Sequence, residues 1–129
     1  MEDVSAHHAT DLVHLNVGGR NFTTLVETLV RSQSAYFARF MRIDPSGKVL
    51  LLRRLTQIDR DGAIFINRDG ELFAYALQFM RDGRRTVLPE EKILLKQLVR
   101  EAEYFGMDMW KEALMGQLEI VEREGDGVS

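Results

Sequence analysis

The chain has no cysteine among its 129 residues. Disulfides and thiolate metal sites are therefore excluded, and with them the small secreted scaffold that depends on cross-links. It also has no apolar run near the ~20 residues that a membrane-spanning helix needs. Its first residues lack the apolar core of a signal peptide. Nor is there an excess of positive charge: 17 Lys and Arg stand against 20 Asp and Glu, a net charge of −3. With no global basic field to neutralise phosphates, no nucleic-acid partner is expected. These absences make a soluble, cytoplasmic protein without membrane insertion the default. The hydrophobic share of 45% and charged share of 29% are those of a globular domain. The length suits one domain that buries its own core.

Histidine is scarce too. His7 and His8 are adjacent in the stretch 1–10, MEDVSAHHAT, which has no periodicity and reads as a flexible leader. Without a third ligand nearby they make no metal site. His14 is the remaining one, and no partner can be assigned that would make it a general base. The chain has no GxSxG elbow and no HExxH. Glu101 and Glu103 sit two apart on a predicted helix, so they face different ways and are no acid–base pair. No catalytic residue, metal or cofactor is expected, and the chain does not read as an enzyme.

What is present is organised around Leu12–Thr24, LVHLNVGGRNFTT. Alternation puts Val13, Leu15 and Val17 on one face and Leu12, His14 and Asn16 on the other, as in a half-buried strand. Gly18 and Gly19 suit a tight hairpin turn. A phosphate loop is the other use of such a pair, but no Lys-Ser/Thr follows.

Apolar residues at helical spacing then predict a short helix over Leu25–Arg31 and a second over Ala35–Met41, with Ser32 or Ser34 as its cap. Tyr36 falls off the second stripe and faces solvent or a partner. The stretch 42–61 is hard to read. Asp44-Pro45-Ser46-Gly47 is a turn, and the unbroken Val49–Leu52 run fits a strand, a helix start or a covering loop equally well. Ala63–Ile66 reads as a strand. Asp69 is placed to cap a helix from about Glu71 to Arg81, with Phe73, Ala76, Leu77 and Met80 inside and Gly83 as a left-handed stop. Pro89 with Glu90 and Glu91 predicts the first turn of the next helix, whose stripe is Leu94, Leu95, Leu98, Ala102 and Phe105, ending at Gly106. Asp108 caps a last helix with Trp110, Leu114, Leu118 and Val121 inside. The stretch 124–129 is expected to be a flexible tail.

Two features hint at assembly. Arg53-Arg54 and Arg84-Arg85 are either solvated loop charge or a ring of positive potential that builds up in a symmetric oligomer. Arg68 and Asp69 in the turn Asn67–Gly70 either serve a capped helix start or make charge-assisted bonds across a subunit boundary.

Taken in order, these pieces resemble the BTB/POZ domain of the potassium-channel-tetramerisation type, found in the KCTD proteins and in the assembly domains of voltage-gated potassium channels. The matching runs are LNVGG at 15–19, FTT at 22–24, TL at 28–29 and GAIFINRDG at 62–70. Phe73, LQFMRDG at 77–83, Leu88-Pro89 and EAEYFGM at 101–107 follow. The ordered set covers about residues 11 to 110. The chain departs from the pattern in three places. Asn67 stands where the family usually has an acid, Gln33 lies near a commonly found proline, and the stretch 42–59 is longer than usual. Channel assembly domains that bind zinc between subunits use cysteines for it, which this chain lacks.

The resemblance implies an α+β fold, a small and mainly three-stranded sheet packed by helices, over residues 11–123. It implies self-assembly into a homo-oligomeric ring, a pentamer as in KCTD proteins or a tetramer as in channels. Arg68, Asp69, Asn16 and His14 are the candidate contacts. It further implies a substrate adaptor that docks cullin-3 of a ubiquitin ligase, through the second helix, the following loop and the helix carrying EAEYF. Phe40, Tyr104 and Tyr36 are the residues that these positions single out. The alternative it implies is the cytoplasmic assembly domain of a membrane protein such as a voltage-gated potassium channel.

Overall fold

A strand already forms at the start of the chain in the computed structural model, which describes residues 3–126. Strand β1 (Val4–His7) occupies part of the expected flexible leader, while Met1 and Glu2 lie outside the described residues. The order comes from a distant segment. The backbone carbonyl of Asp3 accepts from Arg53 N at 2.9 Å, and the Asp3 carboxylate lies 3.3 Å from Arg54 Nε. Strand pairing of this kind depends on the partner more than on local propensity.

The hairpin forms as its alternation demands. Strands β2 (Leu12–Val17) and β3 (Arg20–Leu25) pair antiparallel, with Val17 opposite Arg20 and Leu12 opposite Leu25. Val13, Leu15 and Val17 are all buried. Helix α1 (Val26–Val30) follows directly. Helix α2 is shorter than expected, Ala35–Ala38, because Met41 opens strand β4 (Met41–Ile43). Phe40 and Met41 are still buried, at 3% and 2% exposure, so the apolar spacing was a core signal that two different elements share.

The stretch 42–61 contributes to a second sheet, with the end of β4 and the whole of one further strand. After the turn, where Asp44 Oδ1 accepts from the backbone N–H groups of Ser46 and Lys48, comes strand β5 (Val49–Leu52) and then a 3-10 turn, Arg53–Leu55. The fold is α+β as expected, and among the described residues its strands form two small three-stranded sheets, ordered β1-β5-β4 and β3-β2-β6. Strand β6 (Ile64–Ile66) lies parallel to β2, and every other pair is antiparallel.

The remaining elements are helices. Asp69 caps α3 (Gly70–Asp82), accepting from Glu71 N at 2.8 Å and Leu72 N at 3.2 Å. Gly83 ends it with φ 58° and ψ −133°, outside the left-handed helical region expected, and a 3-10 turn Gly83–Arg85 follows. Helix α4 (Lys92–Phe105) begins later than Pro89, since the Glu91 side chain takes the cap by accepting from Ile93 N. Helix α5 (Asp108–Asp126) runs past Glu124, where fraying was expected; residues 127–129 lie outside the described residues. At the corner between α4 and α5, Gly106 is left-handed, φ 63° and ψ 39°. A Cβ there would lie 2.5 Å from Ala35 Cβ. The Gly106 carbonyl accepts from Ala35 N at 3.2 Å, and Ser34 Oγ donates to Phe105 O at 2.5 Å. The corner and α2 are thus stitched by one backbone bond and one serine hydroxyl, an approach that only glycine permits at this distance.

One cluster of buried residues joins all layers, including Leu15, Phe37, Phe73, Leu98, Phe105, Trp110 and Leu114. Each large side chain contributes about 1.5–3 kcal/mol by leaving water. Among the described residues, no helix is long and apolar enough to cross a membrane.

Candidate interaction surface

The turn between β6 and α3 is held from several sides. Gly18 N donates to Ile66 O at 3.0 Å, and Arg68 N donates to the same carbonyl at 2.9 Å. Gly18 has φ +61°, and a Cβ on it would sit 2.3 Å from the Arg68 carbonyl oxygen. The glycine of the hairpin is therefore required by the turn it abuts. Asp69 locks the other side of the turn by capping α3.

So fixed, the Arg68 side chain reaches α4. Its Nε donates to Glu101 Oε1 at 3.2 Å and its Nη2 donates to Oε2, a bidentate pair. Glu101 is only 4% exposed. Its carboxylate is buried on condition that this guanidinium meets it, because an unpaired charge there would be costly. The bond to Glu101 raises the Arg68 pKa above its ordinary value against the opposing effect of burial, so Arg68 stays charged. The same guanidinium lies over the ring of Tyr104, 4.5 Å from its centroid. Glu101 and Tyr104 are three apart on α4 and share a face.

Tyr104 is 43% exposed and begins an aromatic chain. Its ring is 5.4 Å from that of Tyr36 on α2. Tyr36 in turn meets Phe37, Phe40 and Phe105 edge-on at 5.2, 5.8 and 5.3 Å, geometry that favours aromatic pairs. Arg39 lies 5.8 Å from the Tyr36 centroid. Burial first, and then Tyr104, raise the Tyr36 pKa, which keeps its hydroxyl protonated. Beside the two tyrosines runs a shallow groove lined by Arg39, Leu55, Phe65 and Asn67. Leu55 comes from the 3-10 turn after β5 and is 46% exposed.

The residues singled out in the sequence do not all converge here. Tyr36 and Tyr104 meet at the surface, whereas Phe40, at 3% exposure, lies beneath them as packing. Asn16 is engaged within its own chain. Its Nδ2 donates to Asp59 Oδ2 at 2.9 Å and its Oδ1 accepts from Gly19 N at 2.8 Å, tying the hairpin turn to the 59–63 turn. That bond, then one from Ala63 N, lowers the Asp59 pKa. His14 is exposed on the hairpin, with Nδ1 3.1 Å from Thr23 Oγ1. Arg68 is bonded to Glu101 through Nε and Nη2, and Asp69 Oδ1 to the start of α3. Sequence reasoning passed over the role of Glu101, although the stripe Leu98, Glu101, Ala102, Phe105 placed a carboxylate among core positions. A charge at such a position signals a buried partner. Among the described residues, no group of three or more His, Asp or Glu side chains is placed to hold a metal ion.

A family model described as the BTB/POZ domain matches residues 13–114. The chain belongs to the BTB/POZ family. Within it the chain is of the potassium-channel-tetramerisation type, and its relatives agree. Over 98 residues it is 36% identical to the potassium channel regulatory protein of Mus musculus, spanning 76% of this chain and 33% of that protein. Over 97 residues it is 35% identical to the BTB/POZ domain-containing protein KCTD3 of Homo sapiens, 75% of this chain and 10% of the other. An uncharacterised Caenorhabditis elegans protein is 34% identical over 110 residues, 82% of this chain and 79% of its own length. The chain thus spans a third or less of the two named relatives. Its membership makes this BTB/POZ domain a protein-interaction and oligomerisation module, of a family that is generally not enzymatic.

Proposed function

We propose that this BTB/POZ domain assembles with copies of itself into a ring, a pentamer by preference and otherwise a tetramer, and serves as a cytoplasmic substrate adaptor that docks cullin-3 of a ubiquitin ligase. The observation that carries the docking half is the Tyr36–Tyr104 pair. Two tyrosines packed against each other, one of them 43% exposed, border an open groove. Tyrosine is enriched at interface anchors because it brings area, rigidity and a hydroxyl together. Arg68, Asp69 and Asn16 contribute to assembly by holding the shape of the turns, and exposed His14, with Nδ1 beside Thr23 Oγ1, presents the rest of its ring to a neighbour.

Light scattering on the purified domain should give several times 14.8 kDa. A monomer at micromolar concentration would defeat the ring. Calorimetry against the N-terminal part of cullin-3 should show binding that Tyr104→Ala weakens at least tenfold, and absence of any heat would defeat the adaptor role alone. A second reading, the assembly domain of a membrane protein such as a voltage-gated potassium channel, is favoured by one observation: a relative 36% identical is a potassium channel regulatory protein. Co-purification with channel subunits in cells would support it.

A further inference from the structure

We infer that Arg68 is a positioning residue for the partner surface: gripped by Glu101, it forms a fixed cationic floor on which the Tyr104 ring, and through it Tyr36, is held. The inference rests on the reading of Tyr36 and Tyr104 as the partner surface. It replaces the expectation that Arg68 crosses a subunit boundary.

Two observations and one chemical argument carry it. The Arg68 guanidinium is immobilised at both ends, by the turn packed on Gly18 and by two hydrogen bonds to a carboxylate that is 4% exposed. Its Cζ lies 4.5 Å from the centre of the Tyr104 ring, which is 43% exposed and has Tyr36 and Phe105 as its aromatic neighbours. The floor is specific to arginine, since only a planar fork can hold a carboxylate with two bonds and still offer a face to an aromatic ring. A binding surface gains affinity when its side chains are fixed before the partner arrives, because less freedom is lost on contact. On this account Arg68 touches no partner atom. It acts through Tyr104.

A double-mutant cycle on the full chain tests this, with the N-terminal part of cullin-3 as the probe. Arg68→Lys keeps the charge and should lower affinity about three- to tenfold, with the oligomeric mass unchanged by light scattering. In a Tyr104→Leu background, which keeps apolar bulk but has no ring for the floor to hold, Arg68→Lys should have no further effect. Glu101→Gln should reproduce the loss in part, and Tyr104→Phe, which keeps the ring, should preserve the response to Arg68→Lys. Equal losses in both backgrounds would overturn the positioning role and leave the partner surface standing. A fall in oligomeric mass with Arg68→Lys would return Arg68 to the subunit boundary. A wild-type domain that does not bind the probe would overturn the partner reading and this inference together.

Discussion

Two carboxylates two residues apart on α4 lead opposite lives. Glu101 points inward, is 4% exposed, and has both oxygens taken by Arg68 from a turn 33 residues away. Glu103 points outward, with Lys111 Nζ at 2.9 Å from the first turn of α5. The outer pair sits in water, where the gain from attraction is offset by side-chain entropy and screened by salt. The inner pair sits where Arg68 cannot be removed without stranding the buried Glu101. Geometry alone separates them, since 100° per residue turns position 103 away from the face that holds 98, 101, 102 and 105. Burial, and not the number of ion pairs, decides which one the surface depends on.

Removing the guanidinium should break the contrast most. Arg68→Met is expected to cost about 3 kcal/mol, read as a lower urea midpoint at matched protomer concentration. Glu101→Gln should cost less, about 1–2 kcal/mol, because Arg68 keeps 31% of its side chain in water and can turn toward it. Asp69→Ala should lower stability by about 1 kcal/mol through loss of the α3 cap, and equilibrium unfolding with Asp69→Asn, which restores a cap, should recover most of it. Lys111→Met should leave the midpoint near its wild-type value. Its effect is instead on pH. The hydrogen bond from Lys111, then its charge, lower the Glu103 pKa, so this pair stabilises above the ordinary carboxylate range and the contribution is lost as pH falls through the lowered value. An NMR titration should show Glu103 moving up toward an ordinary value in Lys111→Met, while the wild-type dependence flattens in high salt.

How far the sequence spoke for the molecule differs by region for physical reasons. The hairpin was legible because period-two alternation ran straight into a Gly-Gly turn, and the α3 cap because Asp69 stands just ahead of an apolar stripe. The sheet β1-β5-β4 was not. Its central strand is an unbroken Val-Leu-Leu-Leu run without a period, and β1 is four residues whose partner strand lies about forty-five residues on. At the surface, Tyr36 and Tyr104 could be picked by their place in a resemblance. The ion pair beneath them could not, because nothing near Arg68 names a partner 33 residues on. Yet the stripe itself carried the clue, in a glutamate at a position where leucine was due.

The seam between α2 and the α4–α5 corner has a consequence in time. A four-residue helix has no stability of its own, and the bonds that hold this one, from Ser34 to Phe105 and from Ala35 to Gly106, span about seventy residues of chain. Synthesis proceeds from the N-terminus, so Tyr36 is made early but has nowhere to sit until the corner has emerged. The aromatic surface is therefore completed only about seventy residues after Tyr36 has been made, and a chain cut short before Gly106 never displays it.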